Sequence, residues 1–288
     1  MPMKILLAVD GSRHSLAAAR YVADRLDMEA RLGELQVLHV RYRVPPHAAS
    51  AVSREILETY YRDETEQAVA PVRQLLDSRS VPHRILRTTG HPPVEIARYA
   101  ANGKFDLVIM GSHGMGAATS LLLGSTTQGV IAGCRVPLLV IRYGAGRSRG
   151  GVVVATDGSV HARRAIAFLL RHRTPLAAET DITLLHVSPQ IPQRMPKAGR
   201  VAVNDAHALV RERAMYGTRR LLQRVHVAWQ EAQETGDPGA EIAAYARRHD
   251  SGLLVMGSRG RGGISDLLLG SVVQKTIAAC RTPVLIVR

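Results

Sequence analysis

The chain has 288 residues, of which 46% are hydrophobic, enough for two ordinary globular domains that each have a core. It contains no apolar run long enough to cross a bilayer, and the start MPMKILLAVDGS lacks a signal-peptide cleavage site, so a cytoplasmic protein is expected. The net charge of +14 favours anionic partners, but the basic residues are scattered and aromatic residues make up only 4%, which argues against nucleic-acid binding.

The first half of the chain alternates short apolar runs with helical patterns. The run Lys4–Val9 is typical of a strand that is buried on both faces, and Asp10 or Ser12 can cap the helix that follows. In chain order, the predicted elements are a strand at Lys4–Val9, a helix at Arg13–Asp27, a strand at Leu35–Val40, a helix at Ala51–Ser78, a strand at Pro82–Arg87, a helix from Pro92, a strand at Leu107–Met110, a helix at Leu121–Ala132 and a strand at Pro137–Ile141.

The second half repeats this order. Its predicted elements are Val152–Thr156, Ala162–Arg171, Asp181–Val187, Ala206–Leu222, Val227–Gln233, Glu241–Arg248, Leu253–Met256, Leu267–Ala279 and Pro283–Val287. The third strand is the weakest prediction, because Arg219–Gln233 can also continue as helix. The Pro-rich segments Arg41–Ser50 and Ser188–Asn204 are expected to be loops.

The two halves are copies of one domain. Thr89–Arg142 and Thr235–Arg288 are identical at 27 of 54 aligned positions, which indicates an internal duplication. We predict domains at residues 1–143 and 151–288, joined by a linker at 144–150 of Gly, Ala, Arg and Ser. Alternating strands and helices indicate an α/β fold with a parallel sheet and helices on both faces. Bare apolar closing strands predict that the two copies pair through their last strands as a pseudo-twofold dimer.

A glycine-rich pattern, G-x2-G-x9-G-S, occurs once in each copy. It consists of Gly111, Gly114, Gly124 and Ser125 in the first copy and of Gly257, Gly260, Gly270 and Ser271 in the second. Glycines let a backbone approach phosphate oxygens, and the following helix offers unpaired N–H groups. The pattern predicts a phosphate-binding loop, although both loops can also be structural turns that hold no ligand.

Polar residues at the ends of the first and second strands point to the same edge of the sheet. Asp10 and Asp157 can accept hydrogen bonds from a ribose or a base, or they can be turn residues. The backbone of Val40 or Val187 can contact a base. His39 and His186 are interpreted as core histidines rather than catalytic groups.

The glycine loops differ in charge. Arg259 and Arg261 belong to the loop of the second copy, whereas the first copy has His113 and, in the sequence, no arginine nearby. This difference predicts tighter triphosphate binding by the second copy. Cys134 and Cys280 occupy equivalent places and are expected to be buried apolar side chains, and no metal-binding or catalytic residue is assigned.

The strand-one aspartate, the glycine loop and the closing R-x-P-[LV]-L-[VI]-[IV] strand, each present twice, resemble the universal stress protein family over essentially the whole chain. The glycine loop resembles that of the ATP-binding branch. The resemblance implies a Rossmann-like or flavodoxin-like fold with five parallel strands in each copy, dimerisation through strand five, and ATP, with or without Mg²⁺, as the ligand. A further homodimer is also compatible with it.

The resemblance further implies the residues of each site. Adenosine would contact Val9, Asp10 and Val40 in the first copy, and the phosphates would contact Gly111, His113, Gly114, Gly124, Ser125 and Thr126. The matching positions of the second copy are Thr156, Asp157, Val187, Gly257, Arg259, Gly260, Gly270, Ser271 and Val272.

The function expected from the sequence is that of an ATP-binding, cytoplasmic stress-response regulator. Two alternatives stay open. One is a slow ATPase, although the glycine loop has no paired carboxylates beside it that would position a metal or a water molecule. The other is a protein of the same fold that holds no nucleotide and acts through protein or nucleic-acid partners.

Overall fold

The structure is a computed structural model that describes residues 3–26, 32–45, 47, 50–113, 123–144, 150–173, 176, 181–191, 194, 196–260 and 269–288. The chain divides into two compact units. Unit 1 is Met1–Ala145 and unit 2 is Gly146–Arg288.

Among its described residues, unit 1 alternates five strands with helices. The strands are β1 Met3–Val9, β2 Leu32–Arg41, β3 Arg84–Thr89, β4 Leu107–Gly111 and β5 Leu138–Ile141. The helices are α1 Arg13–Arg25, α2 Arg54–Ser78, α3 Pro92–Asn102 and α4 Ser125–Gly133.

The five strands of unit 1 form a parallel sheet in the order β3-β2-β1-β4-β5. In the middle of the sheet, Leu7 on β1 lies opposite Val37 on β2 and Ile109 on β4. The chain moves outward in one direction from β1 through β2 to β3, and then returns to the other side of β1 with β4. The carboxyl ends of β1 and β4 therefore flank the topological switch point, where open parallel sheets bind ligands.

Unit 2 repeats this architecture. Its strands are β6 Val152–Ala155, β7 Ile182–Ser188, β8 Trp229–Thr235, β9 Leu253–Gly257 and β10 Val284–Val287. Its helices are α5 Val160–Arg171, α6 Lys197–Leu222, α7 Pro238–Arg248 and α8 Ser271–Ala279. The parallel strand order is β8-β7-β6-β9-β10, so β6 and β9 flank the switch point of this unit.

The cores form where the sequence patterns predict them. On β1 every side chain except that of Lys4 is buried, as expected for a central strand covered on both faces. Along α2 the buried side chains recur at helical spacing, so one stripe of this helix packs inward: Thr65, Ala68, Val69, Val72 and Leu76. The predicted burial of Cys134 and Cys280 is confirmed, and both are free thiols.

Three sequence expectations about element boundaries change. Helix α4 begins at Ser125, not at Leu121, because Gly124 is extended, with φ −62° and ψ 147°; residues 121 and 122 lie outside the described part. The loop predicted to reach Asn204 is wrong from Lys197 onward, where α6 begins. The uncertain third strand of the second copy is present as β8, Trp229–Thr235.

The serine after each Asp-Gly turn caps the next helix, and its loss should be measurable. The Ser159 hydroxyl accepts a hydrogen bond from the Ala162 N–H at 3.1 Å. We expect Ser159→Ala to lower the free energy of unfolding by about 1 kcal/mol, because an orphan N–H loses its partner. The chain has one tryptophan, Trp229 on β8, so its fluorescence during urea denaturation reports on unit 2.

Ser159→Gly is the matched control, because glycine at an N-cap costs only a few tenths of a kcal/mol. Both variants lose the capping hydroxyl and its bond to the Arg259 carbonyl, so their difference reports only how well water can replace the cap at the helix N–H groups. Equal urea midpoints for the two variants would contradict this assignment.

Candidate functional site

A cavity of about 410 Å³ lies at the switch point of unit 1. This volume falls within the range of about 300–1,000 Å³ that is typical of small-molecule sites. The structure brings to this cavity all of the sequence-predicted unit 1 residues that it describes: Val9, Asp10, Val40, Gly111, His113, Gly124, Ser125 and Thr126. Gly114, the remaining predicted residue, lies outside the described part. The cavity lining therefore includes both a carboxylate and the glycine loop.

The carboxylate is held by the turn that follows β1. Asp10 Oδ1 accepts a hydrogen bond from the Ser12 N–H at 3.0 Å. Between them Gly11 adopts φ +80°, a conformation that side chains disfavour, and its Cα faces the backbone of Ala68 on α2 at close range. The turn holds the Asp10 carboxylate through Oδ1, and Asp10 lines the cavity.

The glycine loop begins where β4 meets α1. A Cβ at Gly111 would lie 2.6 Å from the carbonyl carbon of His14, so only glycine allows the two backbones to approach this closely. Beyond it, the Gly124 N–H donates to the Ser112 carbonyl at 2.9 Å. The Thr127 hydroxyl donates to the Gly111 carbonyl at 3.0 Å. These bonds hold the start of α4 against the end of β4.

The first turn of α4 is left without a side-chain cap. Its N-cap residue, Gly124, supplies no side-chain hydrogen bond, whereas Ser12 caps α1. The amide of Gly124 is used by Ser112, so the N–H groups available to a ligand are those of the first turn, beginning at Ser125 and Thr126. Both residues line the cavity, where uncapped amides and the positive end of the helix dipole suit an anion.

His39 is a buried histidine of the cavity wall, as the sequence analysis predicts. Its Nδ1 lies 3.0 Å from the Val9 carbonyl oxygen, and the equivalent His186 Nδ1 lies 2.9 Å from the Thr156 carbonyl oxygen. Because a carbonyl only accepts, Nδ1 carries the hydrogen in both rings. The rings thus tie the end of the first strand to the second strand of each unit.

Two arginines that are distant from His113 in the sequence lie near it in the structure. Arg142 follows β5, and the pairing of Gly111 with Ile141 brings it beside the start of the loop. Arg13 opens α1, whose next residue contacts Gly111. Burial lowers the pKa of the His113 imidazole below its ordinary value, and the charges of Arg142 and Arg13 lower this pKa further. Because both copies have arginines near the loop, charge alone no longer predicts tighter triphosphate binding by the second copy.

Unit 2 places its predicted residues at the equivalent edge of its sheet. They are Thr156 and Asp157 after β6, Val187 on β7, Gly257 at the end of β9, Arg259 and Gly260 just beyond it, and Gly270, Ser271 and Val272 at the start of α8.

Contacts in unit 2 join the aspartate turn to the glycine loop. A Cβ at Gly260 would lie 2.7 Å from Asp157 Oδ2, so the loop glycine and the aspartate are direct neighbours. The Ser159 hydroxyl donates to the Arg259 carbonyl at 3.2 Å. As in unit 1, the N-cap glycine, Gly270, donates its N–H to Ser258 and leaves the helix without a side-chain cap. Arg261 lies outside the described residues.

A family model described as the universal stress protein family matches residues 1–142 and again residues 150–288. The chain belongs to the universal stress protein family. A universal stress protein of Mycolicibacterium smegmatis is 29% identical over 99% of this chain and 96% of its own length. A universal stress protein of Thermus aquaticus is 33% identical over 48% of this chain and 97% of its own length, so it corresponds to a single unit.

The solved structures agree on the fold. The crystal structure of a universal stress protein from Archaeoglobus fulgidus superposes with a TM-score of 0.69, at 22% identity, and the match covers 99% of this chain and 97% of that one. The predicted recognition of the family and the predicted α/β fold are thereby confirmed.

Several residues of this universal stress protein line the unit 1 cavity although sequence reasoning did not select them. Tyr42 and Glu64 are the polar ones of most interest. Tyr42 lies two residues beyond Val40, so the strand-end rule that selected Val40 could have reached it. Glu64 lies on α2 beside the buried Thr65, and no spacing in the sequence marks it out.

Two further findings concern metal binding and membrane crossing by the described residues. No group of three or more His, Cys, Asp or Glu side chains among them could hold a metal ion. None of the helices in the described ranges is both long and apolar enough to cross a membrane.

Proposed function

We propose that this universal stress protein binds ATP at one site in each unit and acts as a nucleotide-dependent stress-response regulator. The main support is the switch-point cavity of unit 1, whose lining combines the Asp10 carboxylate with the uncapped first turn of α4. A carboxylate accepts hydrogen bonds from ribose hydroxyls, and free helix N–H groups bind phosphate oxygens. A molecule with a sugar at one end and a polyphosphate at the other can form hydrogen bonds with both the carboxylate and the helix N–H groups.

The residues that we assign to the ligand follow from this orientation. Val9, Asp10 and Val40 would contact adenosine, and Gly111, His113, Ser125 and Thr126 would surround the phosphates. Gly124 contributes by leaving the helix end open. In unit 2 the same roles fall to the corresponding residues after β6, on β7 and around Gly257–Gly270. A Mg²⁺ ion, where present, would arrive with the phosphates and balance their charge. The cytoplasmic location and the pairing of the two closing strands stay predictions.

Isothermal titration with ATP and Mg²⁺ tests the proposal. We expect two ATP molecules per chain, and weaker binding of adenosine, which lacks the phosphates. Gly124→Val and Gly270→Val are suitable site-specific variants, because both glycines have φ near −62°, which valine also adopts. Each should remove one site, lowering its affinity for ATP by about tenfold or more, since the added side chain obstructs the helix end. Absence of binding by folded protein would contradict the proposal.

The same variants separate a regulator from a slow ATPase. A regulator holds ATP without turning it over, so phosphate release should not exceed one equivalent per site. Multiple turnovers that disappear in the Gly124→Val and Gly270→Val double variant would instead favour the ATPase alternative.

A further inference from the structure

Two imidazole rings lie side by side at the start of the unit 1 glycine loop, and one of them, His113, lines the cavity there. The ring centroids of His14 and His113 are 5.1 Å apart. His113 is 6% exposed and lines the cavity, yet its Nε2 has no hydrogen-bond partner within the described chain. His14 packs against His113 and is not itself a lining residue, and its Nδ1 is likewise buried without a hydrogen-bond partner in the described chain. A buried polar atom without a partner is costly, so this pair is an unusual feature of a folded core.

Positive charge reaches the pair from two places in the fold. Arg13 lies on α1 next to His14, Arg142 follows β5, and both act on the two rings. Arg13 also lies 5.0 Å from the centre of the Tyr143 ring, which in turn contacts His14. The nearest carboxylate that acts on His14 is Asp10, at the end of β1.

Other titratable groups face the same cavity. Glu64 projects into it from α2, and the His39 ring lines it from β2. His39 donates its Nδ1 hydrogen to the Val9 carbonyl, away from the glycine loop. The His14–His113 pair is therefore the group at the phosphate end whose protonation an incoming anion would change.

Without a ligand both rings of the pair are neutral near pH 7. Burial lowers the pKa of His14, and His113, Arg13 and Arg142 lower it further, against a smaller opposing effect of Asp10. The pKa of His113 is lowered by burial, Arg142 and Arg13. A polyphosphate brings several negative charges beside the rings, and a nearby opposite charge raises the pKa of an imidazole. A bound phosphate therefore acts on the pKa of the two imidazoles in the direction opposite to that of the arginines.

We propose that His113, with the His14 ring packed against it, is the terminal-phosphate subsite of unit 1 and that ATP binds there together with one proton taken up by this pair. This inference rests on the proposed function and adds to it His14 and the proton. The Ser112 hydroxyl, 2.9 Å from His113 Nδ1, can donate to the neutral ring or accept from the charged one, so protonation costs no hydrogen bond. The unpartnered Nε2 of His113 then donates to a phosphate oxygen.

Unit 2 provides an internal comparison. His161 stands in the place of His14, but Arg259 replaces His113 and is charged at every accessible pH. A permanent charge at the position of His113 already supplies what the proton supplies in unit 1. ATP binding by unit 2 should therefore take up no proton.

The test is titration of the full chain with ATP in two buffers of different ionisation enthalpy, at pH values from 6.5 to 8.0. Gly270→Val isolates the unit 1 site, and Gly124→Val isolates the unit 2 site. For unit 1 we expect uptake of roughly half to one proton at pH 7 and about three- to tenfold tighter binding at pH 6.5 than at pH 8.0. ATP's own titration is common to both sites, so the difference between the sites isolates the imidazoles.

His113→Arg, in the Gly270→Val background, copies the residue of unit 2. It should keep ATP binding at pH 8.0 while proton uptake and pH dependence disappear, an outcome that a merely structural histidine would not produce. Adenosine, which lacks phosphate, should bind unit 1 without taking up a proton.

Each failure has its own signature. ATP binding to unit 1 with no proton uptake, or uptake that persists in His113→Arg, would overturn the inference and leave the proposed function standing. Failure of folded wild-type protein to bind ATP at all would contradict both.

Discussion

Alanine at Gly257 is expected to lower the free energy of unfolding of unit 2 by about 2–3 kcal/mol. The added Cβ would lie 2.6 Å from the Ala162 nitrogen and 2.6 Å from the His161 carbonyl carbon. Both atoms belong to the backbone of α5, which cannot rotate aside as a flexible side chain would. Helix and strand must therefore separate by several tenths of an ångström, and the packing of α5 on β9 is lost along its length. Urea denaturation followed by Trp229 fluorescence measures the effect directly.

Unit 1 offers the same comparison with a matched control, followed by far-UV circular dichroism because the tryptophan lies in unit 2. Gly111→Ala places its Cβ 2.6 Å from the His14 carbonyl carbon and should destabilise unit 1 to a similar degree. Gly133, at the last position of α4, has no atom within 4 Å of an added Cβ. Gly133→Ala should therefore be neutral or slightly stabilising, because alanine favours helix. A wild-type unfolding midpoint for Gly257→Ala would show that the helix can shift without cost.

The sequence predicted the fold well because the central strands are short, apolar and bounded by turn residues. Strand β1 has one interpretation, since Ile5, Leu6 and Leu7 are all buried and Asp10-Gly11-Ser12 ends the run. Strand β8 was harder because its residues, WQEAQET, are largely polar and half of them are exposed. Such a strand is specified by its pairing with β7 rather than by its own pattern.

The site was predictable to the extent that strand ends define it. Asp10, Val40 and Gly111 were selected because parallel strands bring their carboxyl ends to one edge. Arg142 and Arg13 were missed because their proximity to His113 depends on how β5 and α1 pack against β4. Those contacts join residues far apart in the chain, and one sequence carries no local signal for them. Glu64 was missed for the same reason, since the stripe of α2 that packs inward decides which side chains border the cavity.

The switch-point aspartate provides the second large effect. Asp10→Ala in the Gly270→Val background should weaken ATP binding by unit 1 about 10- to 100-fold, because a hydrogen bond to a charged group contributes about 1.5–3 kcal/mol. The loss should be nearly as large for adenosine, since we assign Asp10 to the sugar end of the ligand. This pattern distinguishes Asp10 from His113, whose effect requires the phosphates.

Asp10 also has a structural role, so the variant needs two companions. Asp10→Asn keeps a side-chain oxygen that can accept the Ser12 N–H, now at 3.0 Å from Oδ1, and removes only the charge. It should weaken binding by an intermediate factor, about 5- to 20-fold, at unchanged unfolding free energy. Asp106→Ala is the control for loss of an aspartate elsewhere in unit 1, because Asp106 Oδ2 accepts the Lys4 N–H at 2.8 Å at the opposite edge of the sheet. ATP affinity that falls equally in Asp106→Ala and Asp10→Ala would mean that stability, not a contact with the sugar, accounts for the loss.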